Sequence, residues 1–182
     1  VKAIWIACTN PAQSMPEQAL VHEALAACDF VVLQEAFAGT ETAAFADLVL
    51  PAATWGEKEG TVTNSERRIS RVRAAVPAPG EARADWRIVC DFARALAPRI
   101  GKPQAAAMFA YAAAQAIFAE HVASTAGRDL DITGLDYSLL EGEGPQQWPF
   151  PAGAAVDGAD AAARARLYAD GRFATPNGRA RF

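Results

Sequence analysis

FVVLQEAFAGTETAAFADLVLPA, residues 30–52, decides the fold. Phe30 to Phe37 is a short apolar run rich in β-branched and aromatic residues, and Asp47 to Ala52 is a second, stopped by Pro51. Neither alternates apolar with polar, so both read as strands covered on two faces, the habit of a parallel sheet. Between them Thr40 to Ala46 has room for a brief helix with Thr40 as its cap. Strand, helix and strand in that order form a crossover unit.

Toward the N-terminus, VKAIWIACT (residues 1–9) is a further strand, ended by Asn10-Pro11. Pro16 then fits a first helical position, and Leu20, Val21, Leu25 and Cys28 recur at helical spacing. Val1 enters its strand with no initiator Met, so the sequence reads as part of a longer chain. The expectation is an α/β fold: a Rossmann-like, doubly wound, mostly parallel sheet with helices on both faces.

Toward the C-terminus the period changes. Gly60 to Thr63 and Arg67 to Val76 alternate in strand fashion about Asn64-Ser65, which predicts a β-hairpin arm. After the Pro77-Ala78-Pro79-Gly80 linker, Ala84 to Leu96 reads as an amphipathic helix with Trp86, Val89, Cys90, Ala93 and Leu96 on its apolar side, closed by Pro98 and Gly101. Gln104 to Ala123 and Asp131 to Leu140 read as two further helical stretches. Residues 1–141 are expected to be the Rossmann-like domain. Residues 142–182, rich in Gly, Pro and Ala with turn signals at Asp170-Gly171 and Asn177-Gly178, are expected to be a peripheral segment entering a β-rich domain.

Composition excludes several function classes. At 182 residues, 52% hydrophobic and 21% charged, the chain can bury an ordinary core. A net charge of −4 argues against a nucleic-acid surface, which needs clustered Lys and Arg. No apolar run has the length to span a bilayer and no secretory leader is legible. Cys8, Cys28 and Cys90 are far apart and never in a C-x-x-C arrangement, so they read as three buried thiols rather than as metal or cluster ligands.

In an open parallel sheet, ligands bind beyond the carboxyl ends of the strands. The candidates are therefore Cys8-Thr9-Asn10-Pro11 after the first strand, Gln34-Glu35 at the end of the second, and Trp55-Gly56-Glu57-Lys58-Glu59-Gly60 after the third. An Asn and free amides near a helix start suit a phosphate or ribose, and a carboxylate at Glu35 suits ribose hydroxyls. Each has a plainer reading. Asn10-Pro11 is a common turn, Glu35 can be a solvated strand end, Lys58 can pair with Glu57 or Glu59, and Asp85 can cap its helix. Arg67, Arg68, Arg71 and Arg73 are either the solvated face of a strand or a seat for an anion or an acidic neighbouring domain. His22 and His121 lack a second ligand one helical turn away. No G-x-G-x-x-G, nucleophile elbow or Walker loop is present.

Taken together, ACTNPAQSMP, ADLVLPA and ATWGEKEGTVTNSERRISRVRAAV, in this order and spacing, resemble the third domain of the bis-molybdopterin guanine dinucleotide oxidoreductases. The resemblance runs from about Val1 to Leu96 and returns at ATPNGRARF, which is similar to the entry to that family's C-terminal barrel. The wording of the hairpin is most like assimilatory nitrate reductases, with formate dehydrogenases the near neighbour. The resemblance implies a cytoplasmic enzyme that reduces nitrate to nitrite at a molybdenum held by two pterin dithiolenes, with electrons delivered by a donor protein through a [4Fe-4S] cluster.

That cluster and the molybdenum ligand belong to other domains of the parent enzyme, so no residue here is expected to be catalytic and the chain is expected to be inactive alone. Carried over by motif, Thr9 and Asn10 of the T-N-P turn touch the guanine dinucleotide, Gln34 and Glu35 lie beside its ribose or guanine, and Lys58 contacts pterin or phosphate. Asp85 then reads guanine, because a carboxylate accepts two hydrogen bonds from the N1 and N2 donors of that base. Two other classes stay open: a stand-alone nucleotide-binding or regulatory module, and a structural piece whose Arg-rich arm docks on a neighbour.

Overall fold

Three of the expected strands pair in sequence order. A computed structural model describes all of residues 1–182. In it β1 (Ala3–Ala7), β2 (Phe30–Glu35) and β3 (Leu48–Pro51) form one parallel sheet in the order β1-β2-β3. Ala7 lies opposite Gln34, and Gln34 opposite Leu50, so the three carboxyl ends finish level. Ile6, Val31 and Leu33 alternate onto one face, where they are buried with Ala12 of α1 (Pro11–Ser14) and Leu25 of α2 (Gln18–Ala26). Trp5 meets the edge of Phe92, a residue of α3 (Asp85–Arg99), with ring centroids 4.8 Å apart. Side chains of opposite parity on β1 therefore meet different helices, as a sheet covered on both faces requires.

Contacts divide the chain into two units, one of Val1–Lys58 with Ala74–Ala110 and one of Glu59–Arg73 with Tyr111–Phe182. This division differs from the single boundary at residue 141 expected from the sequence. In the second unit β4 (Gly60–Thr63) and β5 (Arg68–Val72) form the expected antiparallel hairpin, and β6 (Gln146–Gln147) adds to β5. Asn64 builds the turn, its Oδ1 accepting the amides of Glu66 and Arg68, and Arg67 adopts φ 68° to close it. Ile69 of the hairpin joins Phe118 and Val122 of α4 (Ala114–Ser124), Tyr137 and Leu140 of α5 (Tyr137–Gly142), and Phe150 in one core. Gly134 is held so close that a Cβ would stand 2.6 Å from the carbonyl of Pro151 and 2.7 Å from the Phe150 ring.

Local expectations differ from the structure in several places. Pro11, not Pro16, opens a helix, and Gln18 begins the next one after Glu17 at φ 53°. The link before β3 is a 3-10 turn, Glu41–Phe45, and Thr40 precedes it without a side-chain capping bond. Along α3, Ile88, Cys90 and Ala97 are buried while Val89 is 46% exposed, because this helix carries apolar residues on most sides and spacing alone does not choose the face. Pro98 lies inside its last turn, where it has no amide to donate to the carbonyl of Arg94, and the helix ends one residue later.

The Ala-rich stretch is not one helix: Pro103–Phe109 forms 3-10 turns with no fully buried residue, and α4 starts only at Ala114. Alanine favours helix but supplies no apolar stripe to bury. Asp131 folds a turn instead of starting a helix, and Asp136, accepting the Leu139 amide at 2.7 Å, is the true cap of α5. Beyond α6 (Gly158–Arg164) no strand forms, although both turn signals fold as turns, with Asp170 and Asn177 accepting the amides of Arg172 and Arg179. No helix is long and apolar enough to cross a membrane.

Candidate functional site

The level carboxyl ends of β1, β2 and β3 leave a pocket of about 270 Å³, lined among others by Cys8, Gln34, Phe37, Trp55, Lys58 and Asp85. Asp85 enters it because Arg83 pairs with Ala52 just beyond β3, which fixes the start of α3 beside the strand end. The carboxylate is the hub. Gln34 Nε2 donates to Oδ1 at 2.8 Å and Lys58 Nζ donates to Oδ2 at 2.5 Å. Burial acts to raise the Asp85 carboxyl, but the hydrogen bonds from Lys58 and Gln34 outweigh it and hold the group below the ordinary carboxylate range. It is ionised at neutral pH, and each oxygen keeps a lone pair for a ligand.

Gln34 is the informative neighbour. It is 3% exposed, and its Oε1 has no hydrogen-bond partner. The amide cannot be turned round to relieve this, because a carboxylate only accepts and the NH₂ end must face Asp85. A buried acceptor without a donor is costly in a finished protein interior. Glu35 bends back so that Oε1 accepts the amides of Ala36 and Phe37 at 2.7 and 3.2 Å, and its second oxygen is free.

Four of the six candidates thus converge: Gln34, Glu35, Lys58 and Asp85 all line the pocket. Thr9 and Asn10 do not. Thr9 is exposed beside Cys8. The Asn10 side chain is engaged elsewhere: its Oδ1 accepts the Thr42 amide and hydroxyl at 3.1 and 2.6 Å, while Nδ2 donates to Glu41 and Gln13. Thr42, fully buried, also accepts the Ala12 amide at 3.1 Å. Asn10 therefore ties the start of α1 to the turn before β3, and its bond to Glu41 holds that carboxyl below the usual range.

The plainer readings fare unevenly. Asp85 is not a cap, since Ala84 holds that position and no side-chain capping bond is made. Lys58 ignores Glu57, which instead forms a reciprocal capping box with Thr54. Within the Arg run the side chains of Arg68 and Arg73 are 47% and 56% exposed, whereas that of Arg71 is 8% exposed. Arg71 and Arg73 both pair with Glu141, and Arg71 lies 3.7 Å from the Tyr137 ring centroid. Arg67 donates to the carbonyls of Trp148 and Arg164.

Only Cys90 is a buried thiol; Cys28 is half-buried and Cys8 exposed at φ 60° in the pocket. No three His, Cys, Asp or Glu side chains gather as a metal site. Sequence reasoning reached Trp55 only as the first residue of the candidate loop after β3 and missed Phe37 as a pocket residue. The signal available for Trp55 was a large aromatic inside an otherwise polar, Gly-containing loop.

The chain has relatives among known proteins. The chain is 41% identical over 179 residues to a nitrate reductase of Synechocystis sp., an alignment covering 98% of this chain and 24% of that protein. It is 39% identical over 149 residues to the F420-dependent formate dehydrogenase 1 subunit alpha of Methanococcus maripaludis, covering 82% of this chain and 20% of that one. The chain spans about a fifth to a quarter of the length of these relatives. Among solved structures, acetylene hydratase from Pelobacter acetylenicus superposes with a TM-score of 0.64 at 23% identity, over 98% of this chain and 21% of that one, which is a likeness of fold. Residues 1–95, which hold every residue of the pocket, match the molybdopterin oxidoreductase family, and the chain belongs to it.

Proposed function

We propose that the pocket at the carboxyl end of the parallel sheet holds the nucleotide end of a molybdopterin guanine dinucleotide, within a larger enzyme that reduces nitrate to nitrite. Membership of the family implies a molybdenum–pterin cofactor. The observation that carries the finer reading is the buried, unpartnered Gln34 Oε1 standing beside the ionised Asp85 and Lys58 in one pocket. The residue types fit the group. Asp85 and Gln34 Oε1 accept from the N1 and N2 donors of guanine, Lys58 donates to its O6 or to a phosphate, and the free oxygen of Glu35 accepts from ribose. Asn10 and Thr9 act through the turn they build at the end of β1. A volume of about 270 Å³ suits one end of a dinucleotide cofactor and not its whole length.

When bound, the molybdenum centre supplies oxygen-atom transfer, taking nitrate to nitrite and water with two electrons and two protons. This chain's residues do none of that chemistry. They bind one end of the cofactor, orient it and replace water around its base. The [4Fe-4S] cluster, the second pterin's remaining contacts and the docking site of the electron donor lie in this reading outside residues 1–182, and the chain alone is inactive in the cytoplasm. Nitrate is favoured by the alignment over 98% of the chain; the formate dehydrogenase relative supports formate as the second reading.

The test is to produce the complete enzyme, measure molybdenum and iron per polypeptide, and compare oxidation of a reduced dye by nitrate with reduction of a dye by formate. Bound metal with nitrate-dependent turnover is the expected result. Formate-dependent turnover alone overturns the substrate, and absence of both metals overturns the cofactor reading.

A further inference from the structure

A second pocket, of about 760 Å³ and sharing no residue with the first, lies within the unit of Glu59–Arg73 and Tyr111–Phe182. Arg164 of α6 lines it and is 7% exposed, yet it forms no ion pair in this chain. Its guanidinium lies 4.6 Å from the Phe150 ring centroid, and Nη2 donates to the carbonyls of Ala155 and Val156 at 2.7 and 3.4 Å. Nε is buried without an acceptor. A buried cation offset only by dipoles and a ring is costly unless an anion completes it.

The neighbouring charges sharpen the imbalance. Arg166 and Arg172 line the same pocket, are exposed, and their side chains have no hydrogen bond or ion pair in this chain. The three carboxylates on its walls are each engaged locally. Asp160 accepts the Ala155 amide at 2.9 Å, Asp129 the Tyr168 hydroxyl at 3.0 Å and Asp170 the Arg172 amide at 3.0 Å. What this pocket lacks is an acceptor for its guanidinium groups.

We propose that the pocket is an anion site anchored by Arg164, and that its ligand is a carboxylate on an organic body. The planar fork of a guanidinium matches a carboxylate with two parallel hydrogen bonds. Pro149, Pro151 and Leu167 add an apolar wall, and the volume exceeds what a bare inorganic oxyanion fills. Arg164 is the buried anchor, and Arg166 and Arg172 are the cations at the rim. The chain spans about a fifth to a quarter of the length of its relatives, so the carboxylate has two sources. It belongs to a free molecule, or to an Asp or Glu of the larger enzyme.

The experiment uses the complete enzyme, with succinate as the probe and neutral succinamide as its uncharged counterpart, each titrated by calorimetry. Wild type, Arg164→Met, Arg166→Gln and Arg172→Gln are compared, and each is also melted. For a free ligand, succinate binds once per polypeptide and succinamide does not. Arg164→Met should then weaken succinate at least about ten-fold, and each Gln variant several-fold. For a carboxylate of the enzyme itself, succinate is not taken up, and Arg166→Gln and Arg172→Gln lower the melting temperature. Because neither side chain has a partner within residues 1–182, that loss reports a group outside them.

Arg164→Met also loses the bonds to Ala155 and Val156, so the two Gln variants decide the matter should it fail to fold. The inference is overturned if succinate does not bind and both Gln variants melt as wild type does. It is equally overturned if succinamide binds as well as succinate, or if every variant that folds binds succinate as tightly as wild type. Molybdenum content should stay at the wild-type level in all variants, so failure here leaves the cofactor reading intact.

Discussion

The parallel sheet and the hairpin sheet each gather basic and acidic side chains, and the two clusters are in opposite conditions. Around the hairpin, Arg71 and Arg73 share Glu141, and Arg71, whose side chain is 8% exposed, also covers the Tyr137 ring. The bond from Arg73 holds the Glu141 carboxyl below its ordinary range and raises the Arg73 guanidinium above its own. Arg71, Arg73 and Glu141 each have a charged partner there. At the sheet end, one carboxylate faces a lysine and an amide, and the amide's second polar atom is buried without a partner. The difference teaches how to separate a structural ion cluster from a binding one. Charge density is the same signal in both, and the sheet-end cluster differs in setting an unpaired buried acceptor beside an ionised carboxylate in one pocket.

Substitutions can break that contrast. The largest effect on stability is expected in the hairpin unit, at Gly134→Ala, where the added Cβ meets a backbone carbonyl and a packed ring that cannot yield. We expect a loss of about 1–3 kcal/mol in urea unfolding, with molybdenum content per folded molecule unchanged. Next comes Thr42→Val, which removes the donor to Asn10 and leaves the Ala12 amide buried and unpaired. A loss of about 1–2 kcal/mol is expected by the same measurement, together with weaker cofactor retention because the turn after β1 loosens. A smaller effect is expected for Glu35→Gln, which keeps the bonds to Ala36 and Phe37 but loses the charge toward a ribose. Cofactor retention should fall several-fold with no change in melting temperature. Glu141→Gln should lower the melting temperature slightly and leave molybdenum content untouched; a cofactor defect there would erase the distinction between the clusters.

Acid sharpens the comparison further. The folded Asp85 carboxyl lies below its unfolded value, so its contribution is complete above the unfolded value of about 4 and is lost as pH falls through the depressed folded value. Unfolding of wild type should therefore steepen below about pH 4 relative to Asp85→Asn, a difference that vanishes at neutral slope between pH 6 and about 8. An identical acid limb in both proteins would remove Asp85 from the account of the pocket.

Much of this was legible in the sequence, for particular reasons. The strands Phe30–Glu35 and Leu48–Pro51 announced a parallel sheet because neither alternates, and a parallel sheet dictates where its ligands lie. Gln34, Glu35 and Lys58 followed from that rule by position. The engagement of Asn10 with Thr42 did not, because it depends on a partner 32 residues away. The partner shared by Arg71 and Arg73 was hidden for the same reason: Glu141 is distant in sequence from both. Trp55 and Phe37 look like ordinary apolar residues until exposure is known, and exposure is a property of the fold rather than of the residue.

The most direct test of the central claim compares molybdenum bound per polypeptide in the complete enzyme carrying Asp85→Ala with that carrying Glu141→Gln, each normalised to folded protein. The account predicts loss of most of the metal in the first and wild-type content in the second. Equal molybdenum in both would contradict the assignment of the Asp85 pocket as the seat of the cofactor's nucleotide end.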